Sequence, residues 1–318
     1  MNGCREEPIP LSGHAVLRAL ARLIAAFSVA TVLFSQEKQD TTPQFSVTSN
    51  LVRLLVSVRD ANGAIVSNLD KSSFQLFDND TEQTISVFEK NTSLPLSIAI
   101  LVDTSASTRK DLAYETASIL HFMRAVKRAG NPADALAVYS FNWQVRLEVG
   151  FTRNEARAER SLRMLRGEGG TSLYDAVYLV SQDLADREGR HVFIVVTDGG
   201  DTTSYKQFAD AVKASLRADA IIYPVVVVPI PNDAGRNLGG EHALDTMALS
   251  TGGRTFNPSG PEELDEAFAR ILSDLRTQYL LAYRPVETGS PRDRFHHVKV
   301  VVRQPGYKVS TRSGYYEP

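Results

Sequence analysis

The chain has 318 residues, 43% of them hydrophobic and 23% charged, with Lys+Arg 35 against Asp+Glu 37 and a formal net charge of -2. Those proportions exclude a disordered tail and provide length for about two globular domains. A balance this close to neutral creates no field that would draw the protein to nucleic acid or to an anionic membrane surface, so nucleic acid is not expected among its partners.

The first predicted element is an address. Arg18 and Arg22 precede the apolar run Leu23 to Phe34, LIAAFSVATVLF, and polar SQEKQDTTPQ follows. The run is short for a bilayer span of about 20 residues but suits the core of a secretory signal, with Ser35 a small residue before cleavage. Residues 1–35 are expected to be removed on export, leaving a periplasmic or secreted mature chain that inserts in no membrane; an uncleaved anchor or a buried helix is the alternative. The single cysteine, Cys4, falls in this leader, so the mature chain has no thiol to oxidise and must draw its stability from its core.

From Phe45 to about Lys90 the texture is that of short strands. Val52, Leu54, Val56 and Val58 alternate, Asn62-Gly63 supplies a turn, and SFQLFDND and TISVFEK give two further runs split by Asp78 to Asp80, where a turn is expected and a calcium loop is not. Between about 92 and 277 the pattern changes. The apolar runs LSIAILV, ALAVYSF, VRLEVGF, HVFIVVT and IIYPVVVV, with a short RTF near Thr255, alternate with helical stripes: Leu112, Thr116, Ile119, Met123 and Val126; Leu173, Ala176, Val177, Val180 and Leu184; and Leu264, Phe268, Ile271 and Leu275, opened by Pro261. Uninterrupted apolar strands between helices predict a doubly wound, mostly parallel α/β sheet covered on both faces.

After Thr277 the strand texture returns in QYLLAYRP, HVKVVVR and YKVSTRSGYY. Neither terminal segment has enough strands for a stable core of its own. Residues 45–90 and 278–316 are therefore expected to pair into one small β-sandwich, with the α/β domain, 92–277, inserted between its halves.

In an open α/β sheet ligands lie beyond the carboxyl ends of the strands. Two apolar runs end there in an aspartate: LSIAILV delivers Asp103, followed by Ser105 and Ser107, and HVFIVVT delivers Asp198 in TDGGD. Between them Gly167, Gly169 and Gly170 permit a tight loop before Thr171, which is expected to open a helix on the same rim. Two carboxylates and three hydroxyls make an all-oxygen set, suited to Mg²⁺ or Mn²⁺ and not to zinc or copper. Two negative charges would offset such an ion and leave its exposed side open to a further carboxylate.

DTSAS, the Gly-Gly-Thr171 loop and VVTDG together resemble the three loops of the metal-ion-dependent adhesion site of von Willebrand factor type A (VWA) domains. The resemblance covers 94 to about 277. With SNLDKSSFQLFDND and the ending QYLLAYRP...GYYEP, the whole mature chain is similar to the bacterial VWFA-related family first named from Acidobacteria. It implies a Rossmann-like VWA fold, direct metal contacts from Ser105, Ser107 and Thr171, contacts direct or through water from Asp103 and Asp198, and a protein partner that supplies an acidic residue. Two positions depart from the pattern: Ala106 stands where glycine is frequent, and Arg109 with Lys110 follows the motif as solvated helix charge, as a lure for an acidic ligand or as a repulsive weight on the cation.

Other readings of the residues stay open at this stage. Asp103, Ser105 and Ser107 could simply cap the following helix. A metal-dependent hydrolase could use the same ion, although no G-x-S-x-G elbow or phosphate loop occurs and of the histidines only His242 lies where a base is conceivable. A structural envelope module with an empty site is the third possibility. The expectation carried forward is a non-catalytic, exported adhesion or interaction protein.

Overall fold

Alternation of apolar residues builds four strands at the start of the computed structural model, β1 (Val52–Arg59), β2 (Phe74–Asp78), β3 (Thr81–Gln83) and β4 (Val87–Glu89). The structure describes residues 51–227, 237–285 and 294–317; the expected leader, 1–35, lies outside the described residues, as do 45–50 of the first strand segment. The next section runs β5 (Leu96–Asp103), α1 (Leu112–Ala129), β6 (Ala135–Phe141), β7 (Val145–Thr152), α2 (Glu155–Leu162), α3 (Leu173–Ala185), β8 (Arg190–Thr197), α4 (Phe208–Arg217), β9 (Ala220–Val226), α5 (Leu238–Thr251) and α6 (Pro261–Arg276). The chain then closes with β10 (Tyr279–Tyr283), β11 (Phe295–Val302), β12 (Lys308–Ser310) and β13 (Gly314–Tyr316).

The central sheet has the order β7-β6-β5-β8-β9. β5, β8 and β9 are buried at every position because helices cover both faces. Strand alternation divides their side chains: Ile98, Ile100, Val102 and Ile194 pack with Ile119 of α1 and Phe268 of α6, while Ala99, Leu101 and Val195 pack with Val177 and Val180 of α3 and Met247 of α5. The expected mostly parallel, doubly wound α/β fold is borne out.

One strand differs from that expectation. VRLEVGF runs antiparallel to β6 at the sheet edge, because only Asn142 to Gln144 separate the two strands and a parallel crossover needs a dozen residues or more. The Asn142 N–H donates to Gln144 O at 3.0 Å and the Gln144 N–H to Asn142 Oδ1 at 2.9 Å, which closes the hairpin. The opposite edge, β9, tolerates Pro224, whose missing N–H faces no strand. There the RTF segment contributes one bridge, Phe256 N–H to Pro224 O at 2.9 Å and Val226 N–H to Phe256 O at 2.8 Å.

The remaining strands form two antiparallel sheets, β12-β1-β10-β4 and β13-β11-β2-β3. Each combines strands from before and after the α/β section: Leu54 lies opposite Leu281 and Leu76 opposite Val300. Leu54, Val56, Phe74, Leu76, Tyr279, Leu281 and Val298 share the core between the sheets. Asn79 and Asp80 both take positive φ, 45° and 63°, the conformation of a two-residue hairpin turn that Asn and Asp tolerate. Asp78 does more than begin that turn: buried, it accepts hydrogen bonds from Tyr283 OH at 2.7 Å and Tyr315 OH at 3.0 Å and meets His296 Nδ1 at 2.9 Å.

Candidate metal-binding rim

The strand order places β5 at the centre, with the chain moving to β6 on one side and, later, from β8 to β9 on the other. The carboxyl ends of β5 and β8 therefore flank the point where the winding reverses, the place where open α/β sheets form their ligand crevice. Asp103 ends β5 and Asp198 follows β8.

The first loop is held by its own hydroxyls. The Thr108 hydroxyl donates to Asp103 O at 2.9 Å and to Ser105 O at 3.1 Å, which curls 103–108 back on itself. Asp103 is fully buried. Its Oδ1 accepts the Ser105 N–H at 2.8 Å and its Oδ2 accepts the Thr197 hydroxyl at 2.6 Å. Burial pushes the Asp103 carboxyl up to about 6, against the lowering effect of the Thr197 and Ser105 bonds and with help from the charge of Asp198. Ser105 Oγ and Ser107 Oγ stand 3.1 Å apart. That is the length of a hydroxyl to hydroxyl hydrogen bond, and also close to the ~3.0 Å edge of an octahedron with Mg²⁺ to oxygen arms of about 2.1 Å.

The second loop lies against the first. The Glu168 N–H donates to Thr104 O at 2.9 Å and the Ala106 N–H to Gly169 O at 3.1 Å. A Cβ on Gly167 would come within 2.8 Å of the Arg109 backbone and 2.9 Å of Ser105 O, so only glycine permits this approach. Arg109 Nε donates to Gly167 O at 2.9 Å. Arg109, exposed as expected of a helix charge, thus also ties the first two loops together.

The third loop anchors Thr171. The Thr202 and Thr203 N–H groups donate to Thr171 O at 2.8 and 3.1 Å, and the Thr171 N–H donates to Thr202 Oγ1 at 2.8 Å. Thr171 itself precedes the helix: α3 starts at Leu173 and Ser172 occupies its N-cap. Asp198 is half-buried, and its charge bears on Asp103 and on Asp111, the N-cap of α1. The three loops carrying Asp103, Ser105, Ser107, Thr171 and Asp198 are therefore brought to one rim, laced by backbone and hydroxyl hydrogen bonds.

Three contributors escape a reading of the motif alone. Thr197 and Thr202 orient Asp103 and Thr171; Thr197 opens TDGGD and Thr202 follows it, which is their only sequence signal. Glu115, 1% exposed, sits on the inward stripe of α1 between Leu112 and Ile119, where the helical period calls for an apolar residue; that mismatch was its signal. Burial pushes the Glu115 carboxyl up to about 8, with the charges of Asp111, Asp103 and Asp198 adding in that order.

The donor set fits a hard cation. Among the described residues no group of three or more His, Cys, Asp or Glu could hold a metal, so the hydroxyls are indispensable to any ion here. The described histidines stand elsewhere: among them His191 at the start of β8 bonds Arg187 O at 2.8 Å, His121 meets Asp265 at 3.2 Å, and His242 is exposed on α5. A concavity of about 1150 Å³ lies away from the rim, on the sandwich beside Asp70, Phe74, Ile85 and Arg303. At the rim Asp103, Ser105 and Thr171 are buried while Ser107 is exposed, and Trp143, 59% exposed, stands at its edge. A Cβ on Gly169 would fall 2.7 Å from the Trp143 ring, so the indole borders the second loop. Among the described residues no helix is long and apolar enough to cross a membrane.

Residues 98–200 match the sequence model of the von Willebrand factor type A domain family. No curated protein matches the chain. Among solved structures the chain is similar to the von Willebrand factor type A protein from Catenulispora acidiphila, at 11% identity over 86% of this chain and 75% of that one with a TM-score of 0.49. It is similar to the PilB minor pilin from Streptococcus sanguinis at 10% identity, TM-score 0.47, over 58% of this chain, and spans only 62% of the pilin. The vWF domain of the type V pili tip protein Mfa5 from Porphyromonas gingivalis matches at 13% identity, TM-score 0.43, over 57% of this chain and 95% of that domain. Within the α/β section, residues 98–200 carry the match to the von Willebrand factor type A domain.

Proposed function

We propose that the protein is an exported, non-catalytic binding protein whose rim holds Mg²⁺ or Mn²⁺ and recognises an acidic group on a protein partner. The observation that carries this reading is the lacing of three loops, distant in the chain, around Asp103: Thr197 on its carboxylate, Glu168 and Gly169 on the backbone beside it, and Thr202 on Thr171. Such convergence exceeds what capping one helix requires, and α1 begins with no side-chain cap bond at all. Ser105, Ser107 and Thr171 would hold the ion with Asp103 and Asp198 nearby. When bound, it supplies a Lewis-acidic, positively charged face for a carboxylate. The protein's own part is to orient those oxygens and leave the outer side open, and exposed Trp143 adds apolar area of the kind that dominates interface energetics.

The domain type supports a protein-interaction role, and the N-terminal apolar run supports export. Pull-down from the native envelope, with and without chelator, tests the reading alongside Asp103→Ala. Partner capture is expected to require the cation and to vanish in the variant, whose far-UV circular dichroism stays that of the parent. Capture undiminished by chelator would remove the proposal, and turnover of phosphate or ester substrates with Mn²⁺ would replace it with a hydrolase.

A further inference from the structure

A groove of about 500 Å³ runs between α1 and the segment that follows α2. Leu112, Leu162 and Leu165 line it and are buried, while α1 adds exposed Ala113 and Ala117 and half-buried Leu120. The two alanines stand one turn apart on one face of the helix and end at Cβ, which leaves the space that longer side chains would fill. From Leu112 to Leu120 the helix gives the groove a run of about 12 Å. The facing segment is held in place by its own bonds: Arg163 N–H to Glu159 O at 3.1 Å, Leu165 N–H to Leu162 O at 3.2 Å and Arg109 Nε to Gly167 O at 2.9 Å.

The charge along this groove has one sign. Arg109, Arg163 and Arg166 complete its lining and no acid does. Arg163 pairs with Glu159, but Arg166 Nη1 donates to two carbonyls, Arg163 O at 3.2 Å and Leu165 O at 2.7 Å. Arg157 and Arg160 lie exposed on α2 just before them. Among the described residues none of Arg109, Arg157, Arg160 and Arg166 meets a carboxylate. A chain of formal net charge -2 thus concentrates unneutralised guanidinium groups beside one apolar channel.

The geometry points to an acidic peptide: we propose that the groove docks a segment of a protein partner that lays apolar side chains on Leu112, Leu162 and Leu165 and presents carboxylates to Arg109 and Arg166. Guanidinium groups suit carboxylates because their paired N–H donors match the two oxygens, and a preformed apolar groove accepts the apolar face of a peptide. A flat anionic membrane surface would meet the exposed arginines without entering the concavity. Docking here needs no cation, so it stands apart from the adhesion-site reading, although the groove begins at Arg109 and Gly167, where the first two rim loops meet.

The test pans a random-peptide phage library against the full chain in EDTA, then measures the selected peptides by fluorescence anisotropy. Enriched sequences are expected to carry two or more Asp or Glu beside Leu, Ile or Phe, and to lose affinity as salt rises. Ala117→Tyr, which fills the groove, and Arg166→Glu are each expected to weaken binding at least about ten-fold, while Lys299→Glu, the same charge change on exposed β11, stays within about two-fold. Should Arg166→Glu fail to fold, Ala117→Tyr, at an exposed helix position, carries the comparison alone. No enrichment, an enriched set without acids, or affinity that survives Ala117→Tyr overturns the inference. Phosphatidylglycerol vesicles that bind Ala117→Tyr as well as wild type and displace the peptides would replace it with a membrane contact. Because EDTA is present throughout, the result is independent of whether the rim holds an ion.

Discussion

At the scale of single residues, α1 buries an acid whose Oε2 has no hydrogen-bond partner. Glu115 shows the consequence for stability. Burial raises its carboxyl from the ordinary 4.5 to about 8 in the folded chain, so the folded state keeps a proton that the unfolded state has released. Stability then falls as pH rises across that interval. In chelator the melting temperature is expected to decline between about pH 4.5 and pH 8 and to level off above, and Glu115→Gln should flatten much of that slope. A melting profile identical in the two proteins across this range would contradict the raised titration of the buried Glu115 carboxyl. Gly167 and Arg109 make the complementary point. One is chosen for the atoms it lacks and the other for a bond to a carbonyl, and neither is a ligand, yet without them the first two loops would not meet.

Among elements, α6 forms the joint between the α/β section and the sandwich. Its last turn presents Asp274, fully buried, to Arg59 of β1 and to Arg254, whose Nε lies 2.9 Å away. One residue further, Leu275 O accepts from the Arg190 guanidinium, and Arg276 reaches Asp134 at 2.5 Å. Removing one member of a buried pair costs more than the pair is worth, because it strands the other charge. Asp274→Ala is therefore expected to lower unfolding free energy by about 3 kcal/mol or more in urea titration. Arg254→Ala, at the more exposed end of the trio, should cost clearly less; equal losses would show that Asp274 acts through packing alone. The same joint means that α6 enters β10 with Thr277 and Gln278 alone between them, so any displacement of the helix must pull on the centre of a sandwich sheet.

For the whole molecule, the sandwich is assembled from strands on either side of the inserted section, and neither set encloses a core alone. The α/β section, in contrast, has two packed faces of its own. Residues 92–277 expressed alone are expected to give a cooperative thermal transition, at reduced stability because Asp274 loses Arg59. A fragment ending at 277 that keeps 51–90 should show those residues unprotected in hydrogen exchange while the central strands stay protected. Slow exchange in 51–90 without the C-terminal strands would mean that the N-terminal half folds by itself, against the two-part assembly.

The sequence by itself determined what repeats locally. Uninterrupted apolar runs and 3.6-residue stripes located the buried strands and three of the helices, and a strand's fixed direction put Asp103 and Asp198 at its carboxyl end, which is why the α/β class and the VWA resemblance were legible before any coordinates. Only the tertiary structure decided the use of Asp78 as the acceptor for Tyr283 and Tyr315, the hold of Thr202 on Thr171 and the enclosure of Glu115. The physical reason is common to all three. A period is written in neighbouring residues and constrained by one segment's geometry, whereas a hydrogen bond between positions 31 or 205 residues apart, or an acid shut in by a fold, depends on which surfaces meet when separate segments pack.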